Sequence, residues 1–264
     1  MCIRDRTYAA KSARVVGLSL WPGRVPGIGT PGLVTCAHAS QGCLKSCLNF
    51  SGHAAAFPSA ILVPRILRTW HFLYHRDDFI SRVLRELSSH KRRAESDGEE
   101  LYFRPNIVSD LSWHTDSGGK LVQRVWEELS VKSYGYTKIP HNLTPGHKSD
   151  VGPLREFYRL VFSRSESNES DVSRILQSGG DVSVVFHNPG NFAGRNSALQ
   201  QLPGTYDIEG VRYRVIDGDT HDLRGFKDPV NRGKTGRIIG LRLKGNSAER
   251  QAAIESGFSL PVKP

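Results

Sequence analysis

The sequence predicts an α/β fold: a partial or complete (β/α) barrel with an N-terminal cysteine-rich loop, or alternatively an open doubly wound sheet. Three observations lead there. Short β-rich runs alternate with stretches of helical periodicity. At 264 residues, 38 % of them hydrophobic and 23 % charged, the chain has material for one large core. Three of its four cysteines crowd into residues 36–47, too few and too clustered for a disulfide scaffold.

The elements follow in order. Residues 14–20 (RVVGLSL) read as a strand, and the Gly/Pro-rich residues 22–32 as an irregular loop that delivers the chain to Cys36. Residues 58–74 are apolar with Pro64 inside, so a helix is expected to start or restart near Arg65. Ile80, Val83, Leu84 and Leu87 repeat at helical spacing, with Asp77 or Asp78 as cap. Residues 101–108 form the next strand, and Leu121, Val122, Val125, Trp126 and Leu129 the next amphipathic helix. Further strands are expected at 133–139, 157–163, 182–187, 212–216 and 237–243, with loops at 140–153 and 188–204. Short helices are expected at 171–177 and 248–256, closed by Gly179–Gly180 and by Gly257. This makes one domain over 14–258, a disordered tail at 1–13 and a second tail at 259–264.

Charge and targeting narrow the function. The net charge of +10 favours polyanionic partners, a nucleotide or nucleic acid. The excess is spread along the chain, and the one dense run, residues 90–93, reads as a solvated helix end. No apolar stretch approaches the roughly 20 residues that span a bilayer. Residues 1–6 lead into no apolar core of a secretory signal, so the cytoplasm of the producing cell is the expected location and no membrane contact is expected.

The densest chemistry is Cys36, Cys43 and Cys47, spaced C-x6-C-x3-C. Thiolates are anionic, polarisable donors that suit soft or borderline metals. Glycines at 27, 29, 32 and 42 let the backbone turn tightly around them. Zinc would take a fourth ligand from His38 or Cys2. An iron–sulfur cluster on three cysteines would leave one iron open. The spacing is neither a zinc ribbon nor C-x3-C-x2-C.

Polar residues gather where strands end, which is where a (β/α) barrel places its site. Asn106 and Asp110 follow one strand, Tyr136 and Lys138 lie on another, and Ser163 and Glu166 follow a third. Asp217, Asp219 and Asp222 fall within six residues of each other, with Gly218 between and Arg224 after. Such carboxylates suit general acid–base work, a hard cation or a ribose hydroxyl. They also suit a turn that caps its own amides and pairs with Arg224. Asp110, Asp217, Asp219 and Asp222 are the candidate catalytic residues. Asn106, Tyr136, Lys138, Ser163, Glu166 and Arg224 are the candidate substrate contacts.

Residues 104–110 (RPNIVSD), 134–139 (YGYTKI), 160–168 (LVFSRSESN), 215–224 (VIDGDTHDLR) and 238–245 (IIGLRLKG), with a late GF at 257–258, follow the cysteine loop in series. This series resembles the bacteriophage "gene product 88" domain family over about residues 14–258. The resemblance implies a phage or prophage protein acting in the host cytoplasm. By fold-level analogy, a cysteine loop on a partial barrel is similar to radical S-adenosylmethionine enzymes. That analogy implies a 4Fe–4S cluster on Cys36, Cys43 and Cys47, S-adenosylmethionine as its ligand, and a nucleotide or nucleic-acid-related substrate. The first six residues match nothing in the family, which gives Cys2 little weight. The alternative expectation is a zinc-stabilised nucleic-acid-binding protein without catalysis.

Overall fold

The computed structural model describes residues 2–5, 12–26, 34–50, 53–188, 201–221, 223–228, 231 and 233–262. Strand β1 (Cys2–Asp5) pairs antiparallel with β2 (Ala13–Leu18), placing Cys2 opposite Leu18. Helix α1 (Gln41–Lys45) lies inside the cysteine loop, and α2 (His53–Ala56) follows. Helices α3 (Pro58–Tyr74) and α4 (Arg76–Ser96) lead to β3 (Glu100–Arg104). Then come α5 (Leu121–Leu129), β4 (Lys132–Thr137), β5 (Tyr158–Ser163), α6 (Glu169–Gln177) and β6 (Val182–His187). A hairpin of β7 (Thr205–Ile208) and β8 (Val211–Asp217) precedes β9 (Ile238–Arg242), α7 (Ser247–Glu255) and β10 (Leu260–Pro261).

All these strands join one sheet in the order β1-β2-β3-β4-β5-β6-β9-β8-β7, with β10 also alongside β6. Every pairing from β2 across to β8 is parallel. Both outer parallel strands are covered by antiparallel neighbours, β1 on β2 and β7 on β8. The described strands therefore form an open sheet that does not close into a barrel, where the sequence led to a partial or complete one. The two segments expected as tails supply β1 and β10.

Side chains alternate across the sheet with the period of two that strands impose. Val16 and Leu18, Leu101 and Phe103, Phe162, and Val182, Val184 and Phe186 share one continuous core. That core also contains Phe72 of α3, six residues of α4 (Phe79, Ile80, Val83, Leu84, Leu87 and Ala94), Val122 and Val125 of α5, and Val172 and Ile175 of α6. Helices α3, α4, α5 and α6 thus gather on one face. The sheet is open, as the alternative had it. The opposite face carries two smaller clusters, Val15 with Tyr102 and Tyr134, and Val161 with Ile216 and Ile239.

Two local expectations change. Helix α3 runs through Pro64 without restarting, since a proline there removes only the one N–H that would reach the carbonyl of Ala60. Helix α4 has no side-chain cap. Asp77 and Asp78 sit in its first turn instead, where they favour the helix dipole, and Asp78 pairs with His71 and Arg82. The basic run at its far end is solvated as expected, with Arg92 on Ser88 and Ser89 and Lys91 on Glu95. Among the described residues no helix is long and apolar enough to cross a membrane.

Candidate functional site

The face of the sheet turned away from helices α3–α6 ends in a cavity of about 420 Å³. It is lined from the carboxyl ends of β3, β4, β5, β8 and β9, from β6, and from the cysteine loop. Parallel sheets place their sites at this end because the connecting loops are free to vary there.

Cys36, Cys43 and Cys47 all line this cavity, and none forms a disulfide. Thr35 fixes the first of them. Its N–H donates to the Gly23 carbonyl (3.2 Å), its hydroxyl to Trp21 O, and its own carbonyl accepts from Asp110 N–H (2.7 Å). The Cys36 thiol then donates to Val108 O at 3.5 Å. Cys43 lies in α1, whose N-cap Ser40 accepts from Cys43 N–H at 3.2 Å. Cys47 follows one turn later, before a short turn that Arg65 holds by donating to Asn49 O.

Glu166 locks this loop from across the cavity mouth. One carboxylate oxygen accepts from Gly42 N–H (2.7 Å) and the other from the Ser40 hydroxyl (2.7 Å). Burial alone would raise this carboxyl, but the two donors outweigh it and hold Glu166 below the usual glutamate range. Gly42 is required for the close approach: a Cβ there would stand 2.9 Å from Glu166 Oε2 and 2.9 Å from Phe258 Cβ. Arg164 secures the same corner by donating to the carbonyls of Gly257 and Phe258.

Two of the thiols are raised by their surroundings. Burial pushes Cys36 up to about 11, and the neighbouring Asp110 and Cys43 add to the rise. Burial also raises Cys47, against the opposing influence of Asn49, Lys138 and Arg65. Cys43 thus couples electrostatically to both of the others. Among the described residues no three His, Cys, Asp or Glu side chains are already gathered closely enough to hold one ion. The donor set suits a soft metal in kind and number, with its sulfurs spread along one wall. His38 is exposed.

Asp110 stands beside Cys36. Its Oδ2 accepts from Lys138 N–H at 2.7 Å, while its Oδ1 is withdrawn from solvent and meets no donor among the described residues. Burial raises this carboxyl, partly offset by Lys138 and Thr137. Lys138 extends past it to donate to Ser163 Oγ at 3.1 Å and lies 5.6 Å from the Phe258 ring centroid.

The acidic loop forms the opposite wall and is neutralised. Asp217 takes Arg242 in a two-point grip (2.9 and 2.8 Å) that lowers its carboxyl and outweighs its burial. Asp219 accepts from Arg242 N–H (2.9 Å), from Arg242 Nη1 (3.2 Å) and from Lys244 Nζ (2.7 Å). These carboxylates brace β8 against β9.

The remaining expected residues divide clearly. Tyr136 lines the cavity with Arg104 stacked 5.3 Å from its ring. Asn106 lines it too, but its amide is consumed: it accepts from Ser109, Leu111 and Trp113 Nε1 and donates to Leu111 O. Glu166 is a clamp outside the cavity lining. Arg224 is fully buried on Asp228 (2.7 Å) and His221 (3.1 Å), away from the cavity. Asp222 and the glycines at 27, 29 and 32 lie outside the described residues. Sequence reasoning did not single out Arg242, Lys244 or Phe258 as site residues. The signal for the first two was present, since clustered aspartates on a sheet rim need counter-charges, and alternation on β9 supplies them.

No curated protein and no solved structure matches this chain. One family model does match, over residues 4–258, which include the whole cysteine loop and every wall of the cavity. The chain belongs to the Gene product 88 family.

Proposed function

We propose that the cavity is the active site of a metal-dependent enzyme in which Cys36, Cys43 and Cys47 hold an iron–sulfur cluster and the substrate is a nucleotide or a related anion. One observation carries this reading: all three thiols line the same cavity as the buried carboxyl of Asp110 and the ammonium of Lys138. Held by three cysteines, such a cluster supplies electron transfer and one open iron.

The chain's own residues do the rest. Asp110, raised by burial and with Oδ1 facing no donor among the described residues, is placed to give or take a proton at that atom. Lys138 offers positive charge to the thiolates and to the substrate. Phe258, Leu241 and Val185 give the cavity an apolar lining that excludes water. Because thiols ligate as thiolates and burial raises Cys36 and Cys47, binding the centre would be coupled to proton release. The proposal does not extend to S-adenosylmethionine, for which only the fold analogy speaks.

Anaerobic purification followed by iron, sulfide and zinc analysis tests this. Iron and acid-labile sulfide in comparable amounts, lost together in Cys36→Ser, are expected. Zinc without sulfide would replace the cluster with a structural ion and favour the binding-protein alternative. Protein without either metal would remove the proposal.

A further inference from the structure

We infer that Lys138 and Ser163 form an oxyanion subsite in this cavity that takes the phosphate of a nucleoside monophosphate-like ligand. The inference rests on reading the cavity as a binding site, and it deepens that reading by naming what is bound.

The argument is one of charge balance. Three of the cations lining the cavity are Arg242, Lys244 and Lys138. The first two are already engaged by Asp219, and Arg242 by Asp217 as well. Lys138 is half-buried, yet among the described residues it forms no salt bridge. The nearest carboxyl, Asp110, takes its backbone N–H and not its ammonium. An ammonium has three donors, and here one goes to Ser163 Oγ while the others face the cavity or the Phe258 ring. An ammonium with no salt bridge and with donors turned to a cavity is placed to pair with an anionic ligand there.

The rest of the lining fits the body of such a ligand. Arg104 stacks on Tyr136 on the same wall and adds a second positive charge. Phe258, Val185 and Leu241 offer apolar and aromatic surface to a planar base. A volume of about 420 Å³ lies within the ordinary range for small-ligand sites. Phosphate and carboxylate share the chemistry that Lys138 recognises, and phosphate is favoured because Arg104 supplies a second cation for a second charge.

The test uses reduced, metal-free, full-length protein, titrated calorimetrically at low ionic strength with AMP, adenosine, inorganic phosphate and acetate. AMP and phosphate should bind, and their affinity should fall about tenfold or more in Lys138→Gln and with added salt, while Lys138→Arg stays within about threefold. Adenosine should bind wild type and Lys138→Gln alike. AMP affinity unchanged in Lys138→Gln, with circular dichroism showing a folded variant, overturns the subsite, as does the absence of anion binding to wild type. Acetate binding as tightly as phosphate overturns the phosphate assignment. Because no metal is present, loss of the cluster proposal would leave this result intact, and the reverse also holds.

Discussion

The two walls of the cavity are built from equally conspicuous sequence and reach opposite ends. The cysteine wall gathers three thiols, two of which burial raises, next to a carboxyl oxygen without a hydrogen-bond partner and an ammonium without a salt bridge among the described residues. The acidic wall gathers two carboxylates, each saturated by Arg242, Lys244 or a backbone amide. A cluster of reactive residue types is therefore not yet a site. What separates the walls is whether the protein completes the charge balance itself or leaves it for something else to complete.

That contrast can be broken by mutation, beginning with the largest expected effect. Gly42→Ala pushes a methyl group into Glu166 and Phe258 and should cost about 2 kcal/mol, with reduced metal uptake. Arg242→Leu strips Asp217 and Asp219 of their shared partner and should cost about 1.5 kcal/mol in urea unfolding, as the loss of a partly exposed charge network does. If the acidic wall were catalytic, stability would hold and only activity would fall. Glu166→Gln keeps one acceptor for two donors, so one of them loses its partner. A loss of about 1 kcal/mol is expected, together with faster labelling of Cys43 and Cys47 by a disulfide reagent.

The pH dependence sharpens the same point. Glu166 is depressed in the folded state, so its contribution is complete above the usual glutamate range and is lost as pH falls through the lowered value. The stability gap between wild type and Glu166→Gln should therefore be full above the usual glutamate range and close as pH falls below it. Cys36 behaves oppositely: its alkylation should keep rising as pH approaches about 11. The smallest effect belongs to Cys43→Ser, within about 0.5 kcal/mol of wild-type stability because the side chain is half-exposed, while metal binding is lost.

Much of this architecture was legible in advance. All the central parallel strands carry apolar alternation and were found, most within two residues of their ends. The short strands β1, β7 and β10 were not, because edge strands of two to four residues carry too little pattern to register. The cysteine wall was legible from spacing, and Asp110 and Lys138 from their places at strand ends. Glu166 was singled out as a substrate contact, and its hold on the cysteine loop was not foreseen. It reaches Ser40 and Gly42 across more than a hundred residues, and nothing local to residue 166 announces that. Arg242 and Lys244 read as ordinary charges on a strand until the fold set them against residues 217 and 219.

The central claim is that the three thiols serve one inorganic centre. Metal K-edge X-ray absorption on anaerobically prepared protein tests it most directly, by counting sulfur neighbours around the bound metal. The account predicts a sulfur-dominated shell at about 2.3 Å in wild type that loses sulfur in Cys43→Ser. A shell of oxygen and nitrogen alone, or one unchanged when Cys43 is replaced, would contradict it.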